Sequence, residues 1–258
     1  MSPILQTQDL SIGYKYKPLV ENISLSLEPG KVTALIGRNG AGKSTLIKTI
    51  TNHMPPISGN VRIDNIDLRN YSRKQLAKKM AVVTTEQNSG GGLRLSEMVT
   101  LGRMPYTGSL GTVGALDKKI VDHSMRLVGI EQKKNSFIAE LSDGERQKGM
   151  IARALAQDTE ILIMDEPFAF LDVAARLEML DLIKRIAKEQ NKAILFSTHE
   201  VTETLKHTDK VWIFVPGKIL EGEPKELALK GEIDRIFPSD RIRFNRDTYE
   251  FTIQSEKS

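Results

Sequence analysis

The stretch that most constrains this chain is Gly37-Arg38-Asn39-Gly40-Ala41-Gly42-Lys43-Ser44-Thr45. An apolar run, Val32-Thr33-Ala34-Leu35-Ile36, precedes it, and Leu46, Ile47 and Ile50 follow at spacings that give one face of a helix. Strand, glycine-rich loop and helix together are the context that a phosphate-binding loop of the form G-x-x-x-x-G-K-[ST] requires. The physical reason is charge. A nucleotide's phosphates can be held by backbone N–H groups if the chain curls around them. Gly37, Gly40 and Gly42 permit that curl, because glycine tolerates positive φ and close backbone approach. The helix that follows turns its free N–H groups and positive dipole end on the same anion. Lys43 adds a point charge for the β- and γ-phosphates, and Ser44 offers a hydroxyl to Mg²⁺. A glycine-rich turn with a surface lysine is the plain alternative, and the flanking strand and helix argue against it.

A phosphate loop alone says only "nucleotide". The strand Ile161-Leu162-Ile163-Met164 says more, because it ends in Asp165-Glu166. Asp165 is placed to hold the Mg²⁺ shell, and Glu166 to polarise a water for in-line attack on a γ-phosphate. Two acids after a strand usually form a helix cap or a solvated loop; in a chain that already binds phosphate, the context favours chemistry. His199 follows a strand over 193–197. It either hydrogen-bonds the γ-phosphate or attacking water, or caps a helix over 200–206. Gln87, after a strand over 81–84, can reach the metal or the water with its amide oxygen. Leu141-Ser142-Asp143-Gly144-Glu145 opens a helix over 143–156. There Ser142 and Gly144 either offer O–H and N–H donors to a phosphate or form a plain N-cap.

The remainder reads as one α/β domain over 1–258. The 258 residues, 40% hydrophobic and 27% charged, allow a sizeable core. Residues 4–12, 23–27 and 61–63 suggest antiparallel strands, with Glu28-Pro29-Gly30-Lys31 as a tight turn. Between Asn88 and Leu116 glycines interrupt the pattern, and helices over 96–103, 117–128 and 143–156 make an inserted helical subdomain. A helix over 173–189 places Leu177, Leu180, Ile183 and Ile186 on one face. A hairpin turns at Pro216-Gly217, a short helix runs 224–230, and a last hairpin turns at Asn245-Arg246-Asp247. The expected division is an α/β core with its antiparallel β subdomain over about 1–87 and 157–222, the helical subdomain over 88–156, and a small extension over 223–258. The absence of cysteine excludes disulfides, thiolate metal sites and cysteine nucleophiles. The net charge of +4 comes without a dense Lys/Arg block interleaved with aromatics, so no nucleic-acid partner is expected. The N-terminus lacks signal-peptide character, and no run of about eighteen apolar residues occurs. The chain is expected in the cytoplasm, with any membrane part supplied by another chain.

Taken together, these motifs resemble the ATP-binding subunit of an ABC transporter. The matches are Gly37–Thr45 (Walker A), Gln87 (Q-loop), Leu141–Glu145 (signature), Ile161–Glu166 (Walker B), Ala169-Phe170-Leu171-Asp172 (D-loop) and His199 (H-loop). They stand in the family's order and span about residues 4 to 222. The resemblance implies a P-loop NTPase core with an N-terminal antiparallel β subdomain and an inserted α-helical subdomain. It implies ATP and Mg²⁺ as ligands, and Tyr14 as the ring that stacks on adenine, with Tyr16 as runner-up. It also implies a head-to-tail dimer with a second copy, in which Ser142, Asp143, Gly144, Glu145 and Asp172 meet ATP in trans. Asp143 and Glu145 depart from the usual Leu-Ser-Gly-Gly-Gln, and Phe168 stands where a small polar residue is common. Leu101-Gly102-Arg103-Met104-Pro105-Tyr106-Thr107-Gly108 is similar to the corresponding segment of importers for iron-siderophore complexes, haem and cobalamin. In that family the region lies against membrane permease subunits, which place the ATPase on the inner face of the membrane, and a separate substrate-binding protein delivers cargo. The alternatives are an importer of another class, for amino acids or a metal ion such as zinc, a soluble ABC ATPase outside transport, or a degenerate nucleotide-binding regulatory module.

Overall fold

The computed structural model describes residues 2–14, 17–84, 92–107, 111–169, 171–237, 239 and 241–253. The chain begins with β1 (Leu5–Tyr14), β2 (Lys17–Ile23), β3 (Ser26–Leu27) and β4 (Val32–Ile36). Next come α1 (Lys43–Ile50), β5 (Ser58–Ile63) and β6 (Ile66–Asp67). β1 pairs antiparallel with β2, β3 and β5, and β6 closes on β5. This is the antiparallel subdomain. The turn into β4 is as the sequence suggests: Lys31 N donates to Glu28 O, and Gly30 takes φ 73° at the third position.

Before the helical part the chain passes through α2 (Arg73–Lys79), whose Ser72 and Gln75 form a capping box, and β7 (Met80–Val83) of the central sheet. It continues through α3 (Leu95–Thr100), α4 (Ala115–Leu127) and α5 (Asp143–Ala156). Buried Leu95, Met98, Val99, Val121, Met125 and Ile151 form the contact among these three helices. Helix 96–103 is shorter than the sequence suggests, because Leu101–Arg103 tightens into a 3₁₀ turn. Gly102 lies so close to α5 that a Cβ there would sit 2.2 Å from Arg153 O. The Arg103 guanidinium anchors the same turn. It bonds Asp117 at 2.8 Å and Ala156 O at 2.8 Å, with its Cζ 4.0 Å from the Tyr106 ring centre.

The chain then returns through β8 (Ile161–Met164), α6 (Val173–Glu189), β9 (Ala193–Thr198), α7 (Thr202–His207), β10 (Lys210–Val215) and β11 (Lys218–Gly222). The central sheet has the order β11-β10-β4-β9-β8-β7, parallel except for β11. Its parallel strands are almost wholly buried, so they read as continuous apolar runs, while the antiparallel edge strand β11 is exposed to half-buried. One face, with Leu35, Ile161, Ile163, Leu195 and Trp212, packs on α1 and the antiparallel strands. The other, with Ala34, Leu162, Ile194 and Phe196, packs on α5 and α6. On α6 the buried stripe is Met179, Leu180, Leu182, Ile183 and Ile186; Leu177, expected among them, is 38% exposed at the stripe's edge.

After α8 (Pro224–Leu229) a 3₁₀ turn, Ile233–Ile236, leads to β12 (Ile242–Asn245) and β13 (Glu250–Ile253). Edge-to-face ring contacts, Phe237 on Phe251 at 4.9 Å and Phe244 on Tyr249 at 5.8 Å, hold this hairpin. Ile233, Ile236 and Phe244 join it to the main core.

Candidate functional site

The loop between β4 and α1 is built around Lys43. Its side chain is 6% exposed, and Nζ donates to Gly37 O at 2.9 Å and Arg38 O at 3.4 Å. Desolvation presses the ammonium's pKa below the usual lysine range, against the pull of Glu166 and Asp165. A buried cation held mainly by carbonyl oxygens is a suitable partner for a polyanion. Gly40 (φ 77°) and Gly42 (φ 112°) take the left-handed conformation expected of them. Gly37 does not require positive φ. Its constraint is contact, because a Cβ there would lie 2.8 Å from Phe214 Cβ. Gly42 caps α1 with no side chain, so the first N–H groups of the helix are left for a ligand. Arg38, Asn39, Gly40 and Ser44 are exposed, Ala41 and Gly42 half-buried, and Thr45 buried. Tyr14 OH lies 3.0 Å from Thr45 Oγ1, while the residue is 59% exposed. An open ring is thereby fixed beside the loop.

β4, β9 and β8 are adjacent and parallel, so their C-terminal ends deliver three groups to one edge. β8 delivers Asp165 and Glu166. Ser197 on β9 donates to Asp165 Oδ1 at 2.5 Å and accepts from Glu166 N at 2.8 Å, pinning both acids to the neighbouring strand. Glu166 takes φ 46°, a left-handed conformation that is uncommon for a residue with a Cβ and often marks a functional position. Its Oε1 is 4.0 Å from Lys43 Nζ, and its Oε2 is 3.6 Å from His199 Nδ1. His199 is therefore not a helix cap. Thr198 Oγ1 accepts from Glu200 N, and α7 starts only at Thr202 with Val201 at its N-cap. Phe168 is 4% exposed and packs edge-to-face on Phe196 at 5.0 Å, which supports the loop carrying Glu166 from below.

Ser142 is the N-cap of α5. Its Oγ accepts from Glu145 N at 3.2 Å, and Glu145 accepts from Ser142 N at 3.0 Å. Glu145 also pairs with Lys133 at 3.1 Å. The Ser142 backbone bond and then Lys133 hold its carboxyl below the usual range. Asp143 pairs with Arg146 at 3.6 Å. Both unusual acids are thus directed toward their own helix and its neighbours. A Cβ on Gly144 would meet only Leu171 Cδ2, at 3.8 Å, so packing within the described chain does not demand glycine there. Asp172 caps α6 through Ala175 N at 2.8 Å. Arg146 and Arg176 repeat one device: each donates to the carbonyl just before its helix cap, Leu141 at 2.9 Å and Leu171 at 3.3 Å.

Gln87, Tyr16 and Phe170 lie outside the described residues. The structure therefore brings Lys43, Asp165, Glu166 and His199 together, and places Ser142 to Glu145 and Asp172 at two separate helix starts. Sequence reasoning did not single out Ser197, Arg176 or Glu200. Ser197 carried a faint signal, a polar residue inside an apolar strand; the other two carried none.

The family model for "ABC transporter" matches residues 20–169. A curated relative, an uncharacterised ABC transporter ATP-binding protein of Methanocaldococcus jannaschii, is 40% identical, over 89% of this chain and 79% of its own length. The iron(3+)-hydroxamate import ATP-binding protein FhuC of Bacillus subtilis is 34% identical, over 92% of this chain and 88% of its own length. Among solved structures, a chain from an inward-facing ABC transporter assigned to the metal-chelate type superposes with a TM-score of 0.82. It covers 99% of both chains at 21% identity, a likeness of fold.

Proposed function

This chain belongs to the ABC transporter family as an ATP-binding, ATP-hydrolysing subunit, and from that premise we propose that it energises import of an iron chelate of the siderophore type. The iron(3+)-hydroxamate relative supports that class of cargo, as does the segment 101–108 with its exposed Leu101 and Met104. The observation that carries the hydrolytic part is the meeting of Lys43, Glu166 and His199 at the ends of three adjacent parallel strands.

In this reading the N–H groups of Arg38 to Thr45 and the Lys43 ammonium hold the phosphates of ATP, and Tyr14 offers its ring to adenine. Ser44, Asp165 and Gln87 supply hard oxygen donors, a set that suits Mg²⁺. The ion, when bound, neutralises charge on the phosphate oxygens. Glu166 takes the proton of the attacking water on a carboxylate oxygen. Its left-handed backbone and the bond from its N–H to Ser197 Oγ hold its main chain in place, so little reorganisation is needed at the moment of reaction. His199 is placed to donate toward the γ-phosphate or to orient the water.

A second copy completes the site in trans through Ser142, Asp143, Gly144, Glu145 and Asp172. The glycine at 144, which packing among the described residues does not explain, leaves room for such an approach. Permease subunits receive the face around 96–108 on the inner side of the membrane, and a substrate-binding protein delivers cargo to them. No described helix is long and apolar enough to cross a membrane, so the membrane path belongs to those partners.

The test is Glu166→Gln. It should bind ATP at wild-type affinity, accumulate an ATP-bound dimer and lose phosphate release. Turnover at the wild-type rate would remove Glu166 from the role of base.

A further inference from the structure

Behind His199 lies a row of charges that the hydrolytic scheme leaves unused. The imidazole presents Nδ1 to Glu166 Oε2 at 3.6 Å and Nε2 to Glu200 Oε1 at 3.9 Å. The same Glu200 oxygen is 2.9 Å from Arg176 Nη1. Arg176 belongs to the first turn of α6, and its Nη2 donates to Leu171 O at 3.3 Å, just before the Asp172 cap. Its side chain is 20% exposed, against 42% for Glu200 and 50% for His199. A cavity of about 280 Å³ opens between Glu166, Ala169, Arg176, His199 and Glu200, so the ring has room to turn.

We infer that Arg176 and Glu200 are positioning residues for hydrolysis: the guanidinium holds the Glu200 carboxylate, and that carboxylate holds the orientation of the His199 ring. An imidazole between two carboxylates has two competing partners. At 3.6 and 3.9 Å neither contact is a full hydrogen bond, so small shifts of either acid decide which way the ring faces. The short pair between Arg176 and Glu200 fixes the outer acid and leaves the inner one, Glu166, free for the water. Comparison with Arg146 isolates this role. Both arginines brace a helix start through a carbonyl, but Arg146 spends its other nitrogen on Asp143 of its own helix. Arg176 reaches instead across to the residue that follows His199. Because one guanidinium grips both Leu171 O and Glu200, displacement at the start of α6 also moves the group that aims the histidine.

This inference rests on the reading of Glu166 and His199 as hydrolytic groups, and the experiment separates the two. Steady-state ATP hydrolysis is measured on the full-length protein with Arg176→Ala, Arg176→Lys and Glu200→Gln, with thermal unfolding recorded for each. Arg176→Ala should lower kcat by about tenfold with KM for ATP within about twofold, the size expected of a group that acts through another. Arg176→Lys, which keeps the charge, should recover most of the loss, and Glu200→Gln should reproduce it. In a His199→Ala background, followed in single turnover with protein in excess, adding Arg176→Ala should change the rate by less than about twofold, because the group it positions is gone. An unchanged kcat in both Arg176→Ala and Glu200→Gln would overturn the inference, as would a full second loss in the His199→Ala background, which marks a merely structural brace. If Arg176→Ala does not fold, Glu200→Gln carries the same readout, alone and in the His199→Ala background. Normal hydrolysis by Glu166→Gln and His199→Ala would instead defeat the hydrolytic reading itself.

Discussion

Phe168→Ala tests whether the catalytic loop stands on a packed aromatic floor. Phe168 is 4% exposed, and its ring meets Phe196 edge-on at 5.0 Å and 78°. Removing a buried side chain of this size forfeits about 1.5–3 kcal/mol of transfer free energy. The ring pair adds about 0.5–1.5 kcal/mol, and the cavity left behind brings the whole to about 3–4 kcal/mol. For a chain of this size that corresponds to a melting temperature lower by about 6–16 °C. Differential scanning calorimetry gives the value directly. Phe168→Leu keeps most of the volume and loses only the ring geometry, so its shift should be about a third as large. Hydrolysis measured well below the transition should also fall in Phe168→Ala, because Glu166 lies two residues away in a backbone conformation that its surroundings must enforce. A melting point lowered by less than about 2 °C, together with unchanged turnover, would refute the reasoning.

Two other perturbations probe the scaffold. The Glu28 carboxyl is held down to about 2, first by its hydrogen bond from Lys210 and then by Lys31. A depressed carboxylate stabilises the fold above its unfolded pKa near 4.5, and that contribution disappears as pH falls toward 2. The stability gap between wild type and Glu28→Gln in urea should thus be open at neutral pH and close between these two values; a gap independent of pH would disprove the assignment. Gly102→Ala puts a Cβ 2.2 Å from Arg153 O, a backbone atom that cannot swing aside. It should destabilise by about 1–3 kcal/mol as the 101–103 turn is forced off α5, and an unchanged denaturation midpoint would show that the turn moves without penalty.

Much of this was legible in the chain. The phosphate loop, the acids after β8 and the helix start at Ser142 were readable because each depends on local chemistry: glycine torsions, a strand's apolar run, a capping side chain. β2 was not readable. Only Val20 and Ile23 are buried in it, and its register against β1 shifts near Ile12, so no alternation survives. Leu177 was misassigned because the buried stripe on α6 has edges that spacing alone cannot draw. His199 as a cap failed because Thr198 satisfies the local N–H and delays the helix. Arg176 and Glu200 were invisible for a different reason: their meaning lies in a contact between residues brought together only by the sheet.

β7 and β8 are neighbours in that sheet, yet the whole helical subdomain is threaded between them. Both ends of the insert are therefore fastened side by side, like the two leaves of a door sharing one jamb. Such an insert can be lengthened or replaced while the ends of β4, β8 and β9 keep their register, so the two parts can evolve at different speeds.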